Sequence, residues 1–162
     1  MVGQIVSSIC QIRNTIGGTL TFKEFHDYNG QLSSIQYPKE IPGGNWAMFV
    51  HSGDNGTPSQ SVGAVVYRWT NPAGDECDWI MSWSNKYGDT SRKVYTEIRE
   101  KGHYENDVVW PEIRDKLNHG RSHSDDEWNN YLEASVDEES YNASDLFPIF
   151  QGLIETKVKV ST

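Results

Sequence analysis

Basic residues are the first shortage: 14 Lys and Arg stand against 23 Asp and Glu, a net charge of −9. Nucleic-acid binders and proteins held to anionic membranes need a basic footprint, so the charge argues against both classes, though not against binding a neutral or zwitterionic head group or a sugar. Long apolar runs are missing too. No stretch reaches the ~18 consecutive apolar residues of a membrane-spanning helix. Met1 to Ile12 carries no basic residue and mixes Gln4, Ser7, Ser8 and Gln11 among its apolar positions, unlike a secretory signal. Cysteine is nearly absent, and Cys10 and Cys77 make no metal-binding spacing. Without an export signal both are expected as free core thiols in a cytosol-like compartment, so the expected localisation is cytoplasmic. The sequons at Asn55-Gly-Thr57 and Asn142-Ala-Ser144 are then expected to stay unmodified.

Patterns that carry catalysis are equally sparse. Gly-x-Ser-x-Gly does not occur, and His26, His51, His103, His119 and His123 are scattered, mostly at element ends. Nucleophilic catalysis needs a nucleophile held beside a base, and neither cysteine has such a neighbour in sequence. Gly120 interrupts the helix face that His103, His119 and His123 would have to share for zinc. Gly17-Gly18 and Gly43-Gly44 lack the following Lys-Ser or Lys-Thr of a phosphate loop and read as turns. The expectation is a protein that is not an enzyme and has no cofactor or metal.

What is present is a chain of 162 residues with 36% hydrophobic and 12% aromatic content, enough for one globular domain over 1–162. Short apolar or alternating runs recur between turn residues, the mark of an all-β sandwich or barrel. Strands are expected at Ile5–Ile12, Thr19–Phe25, Trp46–His51, Ser61–Trp69, Cys77–Ser84, Val94–Ile98 and Gly152–Val160. Within Cys77–Ser84, Cys77, Trp79, Met81 and Trp83 share one face, and Ile80 stands as an exception among polar residues on the other. One helix is expected over Asn106–Asn118, capped by Asp107, with Pro111 in its first turn and Gly120 past its end. Ser122 to Ser144, with Asp125-Asp-Glu127 and Asp137-Glu-Glu139, reads as a solvated acidic loop.

The stretches Pro42-Gly-Gly-Asn-Trp46, Ser61-Val-Gly-Ala-Val-Val-Tyr67, Asp78-Trp79 and Val94-Tyr-Thr-Glu-Ile-Arg99 with His103-Tyr104 resemble the plant jasmonate-induced protein family over almost the whole chain. More distantly, Ser61 to Tyr67 and Ser84 with Tyr87 are similar to the actinoporin-like superfamily of cytolysins and fungal fruit-body lectins. The resemblance implies a mainly β, two-sheet sandwich with one or two short flanking helices. It brings two functions: phosphocholine binding with pore formation, or glycan binding without pores.

Two departures favour the second. The first strand is expected to begin at Ile5, so no spare amphipathic segment to line a pore is expected. The turn after Ser84 carries Lys86, Asp89, Arg92 and Lys93 where the cytolysins cluster Trp and Tyr, and Arg114-Asp115 stands where they pair tyrosines. Trp79 and Trp83 read as core. Tyr87, Trp110 and Tyr104 flank loops beside polar groups, where a ring can stack on a sugar or a choline. With Ser84 they form the expected ligand site. The expected function is a lectin-like, carbohydrate-binding protein of plant defence or stress response, which binds a glycan or polar lipid head group. No stable membrane insertion is expected, and homo-oligomer formation is left open. The competing readings are a pore-forming cytolysin, a hydrolase and an interaction protein without a small ligand.

Overall fold

A computed structural model describes residues 4–33, 36–89, 91–139 and 146–157. Eleven strands and one α-helix follow in chain order: β1 (Ser7–Asn14), β2 (Thr19–Asn29), β3 (Gln31–Leu32), β4 (Glu40–Pro42), β5 (Trp46–Ser52), β6 (Gln60–Thr70), β7 (Glu76–Lys86), β8 (Lys93–Glu100), α1 (Val109–Asn118), β9 (His123–Trp128), β10 (Leu132–Glu138) and β11 (Ile149–Thr156). They form two sheets, in the orders β3-β5-β1-β11-β10-β9 and β4-β2-β6-β7-β8. Among the described residues only the β1–β11 pair is parallel. This is the expected two-sheet sandwich with a flanking helix.

The alternation in β7 explains the layers. Cys77, Trp79, Met81 and Trp83 point between the sheets, where they meet Tyr67, Phe49, Ile12, Phe150 and Ile154 in the main core. Ile80 points the other way, and the fold gives it a partner. With Ala64, Val66 and Tyr104 it makes a second apolar cluster under Val109, Trp110 and Ile113 of α1. The helix therefore lies on the outer face of the five-stranded sheet, and the exception in the strand pattern is its footing.

Both cysteines are free and buried, as expected. Burial pushes both thiols up, Cys77 to about 12, so neither is a reactive thiolate.

Several boundaries differ from the sequence reading. β2 continues through Asp27 and Tyr28 to Asn29, because its pairing with β6 resumes after two register shifts. α1 begins at Val109, and Val108 rather than Asp107 occupies the cap position, with no side-chain cap bond. The last strand spans Ile149–Thr156; Val158 and Val160 lie outside the described residues.

The largest correction concerns the acidic stretch. Residues 123–138 are a hairpin, not a solvated loop: Leu132, Ala134 and Val136 alternate into the core while their neighbours face out. Its outer strand closes one side of the sandwich. Ser124 Oγ accepts from Thr96 N–H at 3.1 Å, and an Asp126 carboxylate oxygen accepts from Ile98 N–H at 2.9 Å. Side chains of β9 thus satisfy the free edge of β8. Replacing Asp126 by Ala should cost about 1–3 kcal/mol for the orphaned amide. In a thermal melt that appears as a fall of about 2–10 °C for a domain of this size. A variant as stable as the parent would show that the hairpin does not seal this edge.

Candidate functional site

Two periodicities meet between β2 and α1. On β2, His26 and Tyr28 lie two residues apart and so share the outer face. On α1, Trp110 and Arg114 lie one turn apart and share a helix face. The His26 ring stacks on Trp110, with centroids 4.9 Å apart and planes at 14°. His26 also meets Tyr28 edge to face at 4.6 Å. The Tyr28 hydroxyl donates to the Trp110 carbonyl at 2.6 Å, which ties strand to helix. Arg114 lies over the Tyr28 ring, its guanidinium carbon 5.3 Å from the centroid. Burial raises the Tyr28 hydroxyl to about 12, against the opposing pull of Arg114, so it stays a neutral donor.

These four residues, with Asp107 and Pro111, line a groove of about 610 Å³. Aromatic walls with a few charged groups at the rim are the composition of a small-ligand site. Behind the groove the helix is pinned by a buried carboxylate. Glu97 accepts from the hydroxyls of Tyr95 and Tyr104, and from Lys116 Nζ at 2.9 Å. Burial pushes Glu97 up, but these hydrogen bonds outweigh it and hold the carboxyl below its usual range.

The four residues expected at the site do not line one cavity. Trp110 lines the groove. Tyr104 lies beneath the helix, 1% exposed, with its hydroxyl 2.8 Å from Glu97, so its ring offers no face to a ligand. Tyr87 is 43% exposed but belongs to a smaller cavity of about 230 Å³ at one end of the sandwich, beside Gln4, Thr57 and Pro58. Ser84 is half-buried on β7, paired between Val62 and Lys93. His26, Tyr28, Asp107 and Arg114 were not among the expected residues. The spacings just described put His26 with Tyr28 on one strand face and Trp110 with Arg114 on one helix face, but nothing in the sequence brings the two faces together or points to Asp107.

A Ser-His-Asp array occurs elsewhere, between the sheets. His51 Nε2 lies 2.9 Å from Asp27 Oδ1, and Nδ1 lies 2.8 Å from Ser61 Oγ. Ser61 also meets Ser8 Oγ at 2.8 Å and donates to the His51 carbonyl at 3.1 Å. Ser8, His51 and Ser61 are all 0% exposed. A nucleophile must reach its substrate, and this serine is sealed, so the array serves to bridge the two sheets. Among the described residues no group of three His, Cys, Asp or Glu side chains is placed to hold a metal ion.

A second groove of about 710 Å³ opens at the sandwich end where Ile16–Thr19, Gly43-Gly44 and Thr70–Pro72 converge. Its lining combines glycines and threonine hydroxyls with Ile16, Asn71 and Pro72, and no aromatic side chain is among these residues.

Comparison with known proteins adds the relatives. The family model described as Nakanori-like protein matches residues 1–146. A 23 kDa jasmonate-induced protein of Hordeum vulgare is 38% identical over 112 residues, covering 68% of this chain and 53% of that protein. A jasmonate-induced protein homolog of Atriplex canescens is 31% identical over 117 residues, covering 70% of this chain and 62% of that one. The chain thus spans only about half to three fifths of these relatives. Among solved structures, the lipid-binding protein Nakanori superposes with a TM-score of 0.77 at 20% identity, over 92% of this chain and 70% of its own. The wild-type Xerocomus chrysenteron lectin XCL gives 0.58 at 11% identity, over 94% and 100%. At these identities the likeness is one of fold.

Proposed function

The chain belongs to the Nakanori-like protein family, and from that premise we propose that it is a non-enzymatic, lectin-like stress protein that captures a polar lipid head group or a glycan in the groove between β2 and α1. The single observation that carries this reading is the His26–Trp110 stack lining an aromatic groove together with Asp107 and Arg114. Rings held rigidly by neighbours present a flat apolar face at low entropic cost, while charged rim groups fix a ligand's orientation. One relative in structure is a lipid-binding protein and another a lectin, which fits either ligand class. Catalysis finds no support, because the serine facing His51 is buried and already engaged by Ser8.

The test is a lipid and glycan array probed with the purified protein, followed by titration of the strongest ligand against His26→Ala. His26 is half-buried at the surface, so the variant should fold, and circular dichroism checks that it does. Losing one stacked ring should weaken binding about three- to tenfold. An array without a hit, or a ligand that binds His26→Ala as tightly as the parent, would overturn the assignment.

A further inference from the structure

One face of each of the two large rings in this groove is taken by the protein itself. The Tyr28 ring is covered by Arg114 at 5.3 Å, and Trp110 is stacked against His26 at 4.9 Å. A choline group depends on an open aromatic face for its cation. Here the chain's own cation occupies that place.

Arg114 is poorly satisfied in return. Its Nη1 is buried without a hydrogen-bond partner, and among the described residues the guanidinium forms no ion pair. Its immediate neighbour Asp115 lies instead against His119 at 3.6 Å. A guanidinium carries five donors in a planar fork that matches two oxygens of a phosphoryl group. On the same rim Asp107 is exposed, and no Lys, Arg or His of the described residues pairs with it. A carboxylate can accept hydrogen bonds from a primary ammonium, which a quaternary ammonium cannot donate.

We infer that the groove selects a phosphoethanolamine group, with the phosphoryl oxygens on Arg114 and the primary ammonium on Asp107, and rejects phosphocholine. The inference rests on the groove reading above and narrows its ligand class. As a phosphodiester head group it also accommodates the net charge of −9, because that zwitterion brings no net charge to an acidic protein.

Calorimetric titration of the full chain with soluble phosphoethanolamine, phosphocholine and inorganic phosphate tests it, beside flotation with phosphatidylcholine vesicles with and without phosphatidylethanolamine. Phosphoethanolamine should bind at least about tenfold more tightly than phosphocholine, the scale of one charge-assisted hydrogen bond. Asp107→Asn should abolish that preference while phosphate still binds, and Arg114→Gln should lose all three probes. Asp107 is exposed and Arg114 half-buried, and circular dichroism checks that both variants fold. Recruitment only to vesicles with phosphatidylethanolamine assigns the group to a lipid, and soluble binding without recruitment assigns it to a free compound; either supports the inference. Equal or tighter phosphocholine binding, or a preference that survives in Asp107→Asn, overturns it. If no phosphoryl probe binds but a glycan binds with His26 dependence, this inference falls and the groove reading stands. If no phosphoryl probe binds and no ligand shows His26 dependence, both fall.

Discussion

Replacing Glu97 by Ala should lower the melting temperature by on the order of 10 °C, among the largest losses of any polar substitution in the molecule. The side chain is 3% exposed and gathers the Tyr95 and Tyr104 hydroxyls, Lys116 at 2.9 Å and Arg99 at 3.3 Å. Removing one partner of a buried ionic network strands the others, which costs about 3–5 kcal/mol. The network also fixes α1, since Lys116 lies in the helix and Tyr104 beneath it, so the groove should lose ligand affinity together with stability. The pH dependence follows from the depressed carboxyl. Its contribution is full above the ordinary glutamate range and is lost as pH falls through the lower folded value. The parent should therefore destabilise in acid below about pH 4.5 more steeply than Glu97→Gln. Parallel acid limbs in the two denaturation curves would remove Glu97 from this role.

Vesicles that bind the protein should keep their contents. A pore built from the first strand would have to extract it from the middle of the six-stranded sheet. β1 is antiparallel to β5 from Ser7 to Arg13 and parallel to β11 from Ile9 to Asn14. Cys10 and Ile12 are 0% exposed in the main core. Pulling out a doubly paired central strand amounts to unfolding the domain, which costs about 5–15 kcal/mol. Dye-loaded sphingomyelin vesicles, and vesicles of whichever lipid the array selects, should leak no faster with saturating protein than with buffer. Rapid release would revive the cytolysin reading.

The layers of the sandwich were legible because β7 shows both of its faces in sequence. Four core residues alternate with polar ones, and the odd residue, Ile80, marked the ground on which α1 stands. The β9–β10 hairpin was hidden by composition. Leu132, Ala134 and Val136 alternate as a strand should, but Asp125, Asp126, Asp137 and Glu138 outweigh them in any reading by charge. That Asp126 caps the Ile98 amide depends on two sheet edges meeting, which no local pattern encodes. Trp110, chosen as a ring beside a loop, does line the groove. His26 and Tyr28 could not be picked out, because a half-buried strand face becomes a groove wall only once a distant helix lies against it. Tyr104 looked exposed beside polar neighbours, yet its polar neighbour in space is Glu97, which draws the hydroxyl inward.

The most direct test of the groove is to watch it during binding. In an NMR titration with soluble phosphoethanolamine, or with the strongest ligand of the array, the His26 ring and the Trp110 indole N–H should shift first and saturate together. Tyr28 and Arg114 signals should follow the same curve, while Gly17, Gly43, Gly44 and Asn71 at the second groove stay unmoved. Shifts concentrated at those glycines, with His26 and Trp110 unchanged, would contradict the account and place the ligand at the other groove.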